Sequence, residues 1–296
     1  MERFIDRTPT FVPAETVGIN RQFLSLNYAE GERHQLDLYL PNQALEQYPV
    51  IIDIYGGGMY FGQRSSQKLN GALQLLRRGF AVVSPDYSLS YMAPFPTPIY
   101  ELKAVIRWVK AHAASYHLNP RQIFLTGESS GAQLAMVTAA STTAGKLISS
   151  FGGNFKYSDQ VQGVIASYGP YDLALMKPQF AVLGQTPKFA ETGAADSFEG
   201  VMLGFQRPDK VLERNAQANP ATYFTNNMVP TLLYAGTGDR VVPYLQTINL
   251  AAELTAVIGK EKVELRILPD VAHGPAGFMN QAVWDEKTSF LRKHSH

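Results

Sequence analysis

Residues 124–135 read FLTGESSGAQLA, an apolar run followed by Gly-x-Ser-x-Gly and then by a helix-forming segment. In a strand–turn–helix context this pattern is typical of a nucleophile elbow, whose glycines permit a tight turn that exposes the serine hydroxyl. The positive amino end of the following helix favours negative charge that develops beside it. The pentapeptide alone can occur by chance, so the prediction that Ser129 is a nucleophile depends on the flanking strand and helix.

Strands and helices are predicted to alternate along most of the chain. Short runs rich in Val, Ile, Tyr and Leu predict eight strands, at residues 22–27, 35–40, 50–55, 81–85, 122–126, 161–167, 231–235 and 263–268. Helix-length segments cover residues 67–78, 98–116, 130–142, 244–258 and 277–293. This alternation predicts an α/β fold with a mostly parallel eight-stranded sheet and helices on both faces.

The chain of 296 residues shows no internal repeat or linker, so we expect a single domain over residues 1–296. Residues 173–229 break the rhythm because the segment is long and rich in proline and apolar residues. We interpret it as a cap or lid inserted between two strands. The alternative is an irregular excursion of the core with no role at a site, although long irregular loops are uncommon unless they are functional.

Composition excludes several classes of protein. Lys plus Arg is 26 and Asp plus Glu is 25, so there is no basic excess with which to bind nucleic acid. The chain has no cysteine, which excludes disulfides, thiolate metal sites and cysteine nucleophiles. The six histidines form no helical His-x-x-x-His pair that would suggest a metal. We expect no metal or organic cofactor, because acyl transfer through a serine nucleophile needs none. No apolar run has the length of a signal peptide or membrane span. We therefore expect a cytoplasmic monomer or homo-oligomer without stable membrane insertion.

Two residues downstream of Ser129 complete a possible catalytic triad. Asp239 and His273 each follow a predicted strand, where the sites of parallel sheets gather, and the order Ser, acid, His is that of a nucleophile-elbow enzyme. Each residue read by itself is an ordinary loop residue. Three other carboxylates compete for the acid position: Asp172, Asp270 and Glu128. Asp239 is preferred because it has its own strand end.

Acyl transfer also needs hydrogen-bond donors for the oxyanion. The strand that ends at Tyr55 is followed by three glycines, which allow backbone amides to turn towards a substrate. We expect the amides of Gly57, Gly58 and Ser130 to be these donors. A plain flexible turn is the alternative, and a phosphate-binding loop is disfavoured because no Gly-Lys-Ser/Thr follows.

Aromatic residues near these loops predict a small, apolar acyl pocket. Tyr60 follows the glycine loop, Tyr91 follows another strand end, and Phe205 belongs to the cap segment. We expect these three residues to bind substrate. The alternative is that such aromatic side chains pack in the core.

Five sequence blocks together resemble the α/β-hydrolases of the carboxylesterase type, on the hormone-sensitive-lipase-like branch and its relatives with a short amino terminus. These blocks are YGGGMY from Tyr55, the segment PDYSLSY from Pro85 with its following helix, GESSGAQLA, GTGDRVVP and VAHG. The chain departs from the family pattern at Tyr55, where His is usual, and at Ser88, where Arg is usual. The resemblance implies an α/β-hydrolase fold, and the support of the oxyanion loop must differ from that of the family.

Together these patterns predict a serine carboxylic-ester hydrolase that acts through an acyl-enzyme on small, short-chain esters. Ser129 would attack the ester carbonyl, His273 would transfer protons, and Asp239 would hold the imidazolium. One alternative is a small-amide hydrolase, similar to arylformamidases, with the same triad. The other is a non-catalytic binding protein on a hydrolase fold.

Overall fold

The structure is a computed structural model, and it describes residues 3–295. One eight-stranded sheet runs through the molecule in the order β1-β2-β4-β3-β5-β6-β7-β8. The pairs β1–β2 and β2–β4 are antiparallel, and the other neighbours are parallel. The strands are β1 Arg21–Asn27, β2 Gln35–Leu40, β3 Tyr48–Ile54, β4 Ala81–Pro85, β5 Leu118–Glu128, β6 Gly163–Ser167, β7 Thr231–Gly236 and β8 Val263–Leu268. The predicted α/β fold with its mostly parallel sheet is confirmed.

Helices connect the strands and cover the sheet. They are α1 Asn70–Leu73, α2 Thr97–Ala111, α3 Ala113–Tyr116, α4 Ser130–Thr143, α5 Met176–Val182, α6 Phe198–Met202, α7 Leu212–Ala218, α8 Leu245–Ile258 and α9 Gln281–Lys293. Helix α4, which follows the predicted nucleophile, is buried on all sides through its first twelve residues. Because α4 is buried on every side although it carries polar residues such as Gln133 and Thr138, the helix behind Ser129 belongs to the core.

Three predicted helices have different boundaries in the structure. The segment 67–78 is not one helix: only α1 is α-helical, and 3-10 turns flank it at Gln67–Leu69 and Leu76–Arg78. The segment 98–116 divides at His112 into α2 and α3. Helix α9 begins late, at Gln281, because the Asn280 side chain accepts a hydrogen bond from the Val283 amide and caps the helix there.

The parallel strands bring the predicted site residues to one edge of the sheet. The glycine loop follows β3, Ser129 follows β5, Asp239 follows β7 and His273 follows β8. Because parallel strands share their direction, their carboxyl ends and these four loops lie on the same side of the sheet.

Residues 173–229 lie between β6 and β7 and contain α5, α6 and α7 with short 3-10 turns. Two aromatic residues of this segment, Phe189 and Phe198, pack against Phe4 of the amino-terminal segment, with ring centroids 5.3 and 5.2 Å from that of Phe4. The interpretation of 173–229 as a cap within one domain stays a prediction.

Every helix in the part of the chain that the structure describes is too short or too polar to cross a membrane.

Candidate active site

Ser129 lies in a strained turn between β5 and α4. Its backbone has φ 53° and ψ −128°, a left-handed φ that non-glycine residues rarely adopt. Both flanking positions require glycine. A Cβ added to Gly127 would lie 2.4 Å from the carbonyl oxygen of Gly131, and a Cβ added to Gly131 would lie 2.0 Å from the carbonyl oxygen of Ile54. The turn therefore has the geometry of a nucleophile elbow.

A chain of hydrogen bonds joins Ser129, His273 and Asp239. Ser129 Oγ lies 3.0 Å from His273 Nε2, and His273 Nδ1 lies 2.6 Å from Asp239 Oδ2. An ionised carboxylate only accepts, so Nδ1–H donates to Asp239 and the free lone pair of Nε2 accepts the serine proton. The structure thus brings together the three residues that the sequence analysis predicted.

The carboxylate of Asp239 is held in place by its own loop. Its Oδ1 accepts hydrogen bonds from the amides of Val241 and Val242 at 2.8 and 2.9 Å, and the residue is 1 % exposed. These amides fix the side chain and leave Oδ2 for His273.

Two of the three competing carboxylates, Asp172 and Glu128, bind other groups, and the third is exposed. Asp172 accepts from the Ala174 amide and the Asn215 side chain, at 3.1 and 2.9 Å. Asp270 is exposed. Glu128 accepts from the Tyr168 hydroxyl at 2.5 Å. Among the residues that the structure describes, Asp239 is the carboxylate that accepts a hydrogen bond from His273.

Tyr168 is a neighbour of the site that the sequence analysis missed. Its ring packs edge-on against the His273 imidazole, with centroids 4.9 Å apart. Burial raises the pKa of Tyr168 well above its ordinary value, and the negative charge of Glu128 acts in the same direction. The hydroxyl therefore stays protonated and donates to Glu128, which fixes the ring beside the imidazole.

The glycine loop after β3 offers backbone donors beside Ser129. Gly57 and Gly58 have φ values of +136° and +63°, which glycine adopts readily. Among the described residues, neither of their amides donates to a protein acceptor, whereas the next amide, of Met59, donates to Ser130 Oγ at 3.2 Å. Ser130 is the first residue of α4, so its amide has no acceptor within the helix. The three predicted oxyanion donors thus have free N–H groups near the elbow.

Tyr55 supports this loop from below. Its ring is 2 % exposed and stacks on Tyr87, with centroids 4.5 Å apart and an interplanar angle of 16°. Its hydroxyl accepts a hydrogen bond from the Arg33 guanidinium. Arg33 also donates to the carbonyls of Tyr87 and Gly62, at 2.8 and 3.1 Å. A stacked tyrosine and an arginine from the β1–β2 connection therefore replace the histidine that is usual in the resembling family.

The second departure from the family pattern, Ser88, has its own local partner. The amide and the hydroxyl of Ser88 both donate to Glu101 of α2, at 2.7 and 2.5 Å. His34 Nε2 also lies 3.0 Å from the Glu101 carboxylate, which raises the pKa of His34 through that hydrogen bond. The loop after β4 is thus fixed to α2 through Glu101.

A cavity of about 690 Å³ opens above Ser129 and His273. Its apolar wall is formed by Phe4, Phe189 and Phe198. The predicted substrate-binding residues Tyr60, Tyr91 and Phe205 do not line it. The ring of Tyr60 packs against Phe61 and Tyr91, and Tyr91 and Phe205 are 59 % and 56 % exposed.

This placement differs from the sequence analysis, and substrate binding by Tyr60, Tyr91 and Phe205 stays a prediction. Phe198 belongs to the predicted cap, as Phe205 does, but its neighbour Phe4 comes from the amino-terminal segment. No local pattern in the sequence places that segment at the carboxyl end of β3.

The charged groups around the cavity are mostly cations. Lys68, Lys188 and Arg240 line it together with Arg7, and Glu128 is the lining carboxylate. The described part of the chain contains no cluster of three or more His, Asp or Glu side chains that could hold a metal ion.

Comparison with known proteins gives the family. The BD-FAE family matches residues 36–254, which is most of the chain. Esterase LipQ of Mycobacterium tuberculosis is 26 % identical over 233 residues, which cover 76 % of this chain and 50 % of LipQ. The chain spans about half the length of the first curated relatives it matches.

Two solved structures are similar over almost the whole chain. A truncated carbohydrate esterase from gut microbiota is 27 % identical, with a TM-score of 0.84 and coverage of 96 % of this chain and 99 % of that one. A bifunctional GH43-CE protein of Bacteroides eggerthii is 30 % identical, with a TM-score of 0.80, and the match covers 93 % of this chain and 38 % of that one. The chain therefore belongs to the BD-FAE family, and its fold is that of the α/β-hydrolase esterases.

Proposed function

We propose that the protein is a serine carboxylic-ester hydrolase that works through an acyl-enzyme. The observation that carries this proposal is the chain of hydrogen bonds from Ser129 Oγ through His273 to Asp239, at 3.0 and 2.6 Å. The esterase names of relatives such as LipQ support the same reaction.

In the first half of the reaction, Ser129 Oγ attacks the ester carbonyl while His273 Nε2 takes the hydroxyl proton. The imidazolium that forms is stabilised by Asp239, whose carboxylate stays ionised. His273 then returns the proton to the departing alcohol as the carbonyl–oxygen bond of the ester breaks. In the second half, water attacks the acyl-enzyme with His273 again as base, and the carboxylic acid leaves.

The negative charge that appears on the carbonyl oxygen in each half needs donors. The amides of Gly57, Gly58 and Ser130 are suited to this role because they point to no protein acceptor within the described residues. Fixed donors of this kind stabilise the transition state more than the ground state, because the charge is present only there.

The preferred substrates are short-chain acyl esters, and we propose that the alcohol part is a carbohydrate. The ring of Phe4 and the Cβ of Phe198 lie so close to Gly58 that a Cβ added there would be 2.6 and 3.0 Å from them. The space beside the loop is therefore small, whereas the whole cavity, at about 690 Å³, has room for an alcohol part larger than the acyl group. The similarity to a carbohydrate esterase supports a sugar in that place.

The test is covalent labelling together with kinetics. We expect a fluorophosphonate probe to form one adduct at Ser129, and an acetylated sugar and nitrophenyl acetate to be hydrolysed. Ser129→Ala and His273→Ala should each lose several powers of ten in kcat, because the triad acts as a unit. Asp239→Asn should lose somewhat less while the fold survives, as judged by circular dichroism.

Asp270→Asn is the matched control, because Asp270 lies three residues from His273 in the same loop but is exposed. It should retain the activity of the wild type. Absence of an adduct at Ser129 would favour a binding protein on this fold, and hydrolysis of formanilides in preference to phenyl esters would favour the small-amide hydrolase.

A further inference from the structure

Lys68 makes a contact with the glycine loop that the catalytic triad does not explain. Its Nζ donates to the carbonyl oxygen of Gly56 at 2.5 Å. That carbonyl and the amide of Gly57 belong to one peptide group. In a trans peptide the C=O and N–H bonds point in opposite directions, so holding the oxygen on one side aims the Gly57 N–H to the other.

The Gly56–Gly57 peptide lies directly beside the nucleophile. A Cβ added at Gly56 would be 2.8 Å from the Ser129 Cβ. Because this peptide lies between two glycines, no Cβ of its own restricts the backbone dihedral angles on either side of it. Left alone, such a peptide could turn its carbonyl towards the developing oxyanion and repel it.

We propose that Lys68 is a positioning residue for the oxyanion hole, whose ammonium group holds the Gly56–Gly57 peptide with its N–H facing the substrate and strengthens that donor by polarising it. This inference rests on the proposed esterase function. A hydrogen bond from an ammonium group is stronger than one from a neutral donor, and hydrogen bonds in a chain polarise one another.

The surroundings of Lys68 fit this role better than a structural ion pair. Among residues 3–295, no carboxylate lies within salt-bridge distance of its Nζ, and Glu128, which lines the same cavity, accepts its hydrogen bond from Tyr168. Burial lowers the pKa of Lys68, and Arg7 adds to this, while Glu128 acts in the opposite direction. A desolvated ammonium is costly unless it is well hydrogen-bonded, and the Gly56 carbonyl is the acceptor it has.

The absence of cysteine from the chain permits a sharp test of charge at this position. Lys68→Met and Lys68→Cys should each lower kcat roughly 10- to 100-fold with KM changed less than about threefold, since removing a whole oxyanion donor costs about 10²–10³. Treating Lys68→Cys with bromoethylamine rebuilds a lysine-like ammonium side chain and should restore most of kcat. Iodoacetamide gives a neutral side chain of similar length and should not restore it.

Lys103→Met is the matched control. Lys103 is a buried lysine of α2. Its Nζ also donates to backbone carbonyls, but to those of Lys146 and Leu147, at 2.7 and 3.1 Å, and not to the glycine loop. The variant Lys103→Met should have a lower free energy of unfolding than the wild type, without a selective loss of kcat. In addition, the inhibition constant of a trifluoromethyl ketone, which forms an oxyanion on Ser129, should rise in parallel with the fall in kcat/KM of Lys68→Met.

The outcomes separate this inference from the proposed function. A wild type that hydrolyses no ester and takes up no probe overturns the esterase proposal. An active wild type with unchanged kcat in Lys68→Met, a rise in KM alone, or equal recovery with the neutral reagent overturns only the role of Lys68.

Discussion

We expect Tyr55 and Arg33 together to determine whether the glycine loop keeps its shape, and Tyr55 can be altered in two steps. Tyr55→Phe removes the hydroxyl that accepts from Arg33 but keeps the ring stacked on Tyr87. Tyr55→Ala removes the ring as well. The two variants therefore separate the hydrogen bond from the packing that supports Gly56 to Gly58.

The expected magnitudes follow from what each variant leaves behind. Arg33 keeps acceptors in Tyr55→Phe, since the carbonyls of Tyr87 and Gly62 and the Asp86 carboxylate remain at 2.8 to 3.3 Å. The free energy of unfolding should then fall by about 1–2 kcal/mol, near the lower limit for a hydrogen bond to a charged group. Tyr55→Ala empties a buried site and should cost about 3–5 kcal/mol.

Catalysis should follow the position of the loop. We expect kcat of Tyr55→Phe to stay within about tenfold of the wild type, and kcat of Tyr55→Ala to fall roughly 100-fold, because displacing oxyanion donors costs about 2.7–4 kcal/mol for each donor lost. KM should change little, because Tyr55 does not line the cavity among the residues the structure describes. Initial rates with nitrophenyl acetate at several concentrations separate the two constants.

Tyr48→Ala provides a control for general destabilisation. Tyr48 is the first residue of β3, is 1 % exposed, and hydrogen-bonds an arginine, Arg21, just as Tyr55 bonds Arg33 beyond the other end of that strand. Tyr48→Ala should lose about as much free energy of unfolding as Tyr55→Ala, and the folded variant should keep the kcat of the wild type. The reasoning is refuted if Tyr55→Ala raises KM at unchanged kcat, or if Tyr48→Ala loses kcat to the same extent.

Three further predictions concern pH and substrate. Burial raises the pKa of Asp53 from 3.8 to about 7, so the folded wild type loses stability as the pH rises from about 4 to 7. In urea titrations, the unfolding free energy of Asp53→Asn minus that of the wild type should therefore increase by about 1–4 kcal/mol over that range. A difference that does not vary with pH would contradict this. In a series of nitrophenyl esters, kcat/KM should peak between acetyl and butyryl and fall by octanoyl, although each methylene that fits adds about 0.8 kcal/mol; a peak at octanoyl or longer would indicate an open groove. Lys188 and Arg240 line the cavity, so the anion 4-acetoxybenzoate should be hydrolysed severalfold faster than neutral 4-acetoxybenzamide at low salt. This preference should shrink at high salt and in a variant in which both residues are replaced by neutral ones.

Sequence reasoning could predict the sheet and the groups at its edge because both depend on local pattern. Each β-strand carries a short run rich in apolar residues, which alternates with polar residues in β1, β2 and β8 and is more continuous in the central strands. A parallel sheet places the residues that follow such runs on the same side. Ser129, Asp239 and His273 each follow such a run, so no knowledge of distant contacts was needed to place them together. The same argument applies to Gly57 and Gly58 after β3.

Tyr168 directly follows β6, so a strand-end signal could have found it, whereas Arg33 and Phe4 come from segments distant in the chain. Arg33 lies in the connection between β1 and β2, yet it reaches the hydroxyl of Tyr55 and the carbonyl of Gly62. Phe4 forms the cavity wall from the amino-terminal segment. Their side chains carry no local signal, since an arginine or a phenylalanine in a loop is ordinary, and their partners are set by tertiary packing. The predictions for Tyr91 and Phe205 rest on a position after a strand end and a position in the cap segment, and neither position determines which way a loop side chain points.

The glycine loop illustrates how one functional geometry can be held by different residues. Glycines make the loop able to present its amides, but the same freedom lets it present carbonyls instead. The loop therefore needs partners that bind its carbonyls on the side away from the substrate. Lys68 holds the Gly56 carbonyl, and Arg33 holds the Gly62 carbonyl and Tyr55. Both partners are cations that can only donate, so they bind carbonyl and hydroxyl oxygens of this region and not its N–H groups. On our proposal for Lys68, position 55 needs no histidine, because these two donors would set the orientation of the loop.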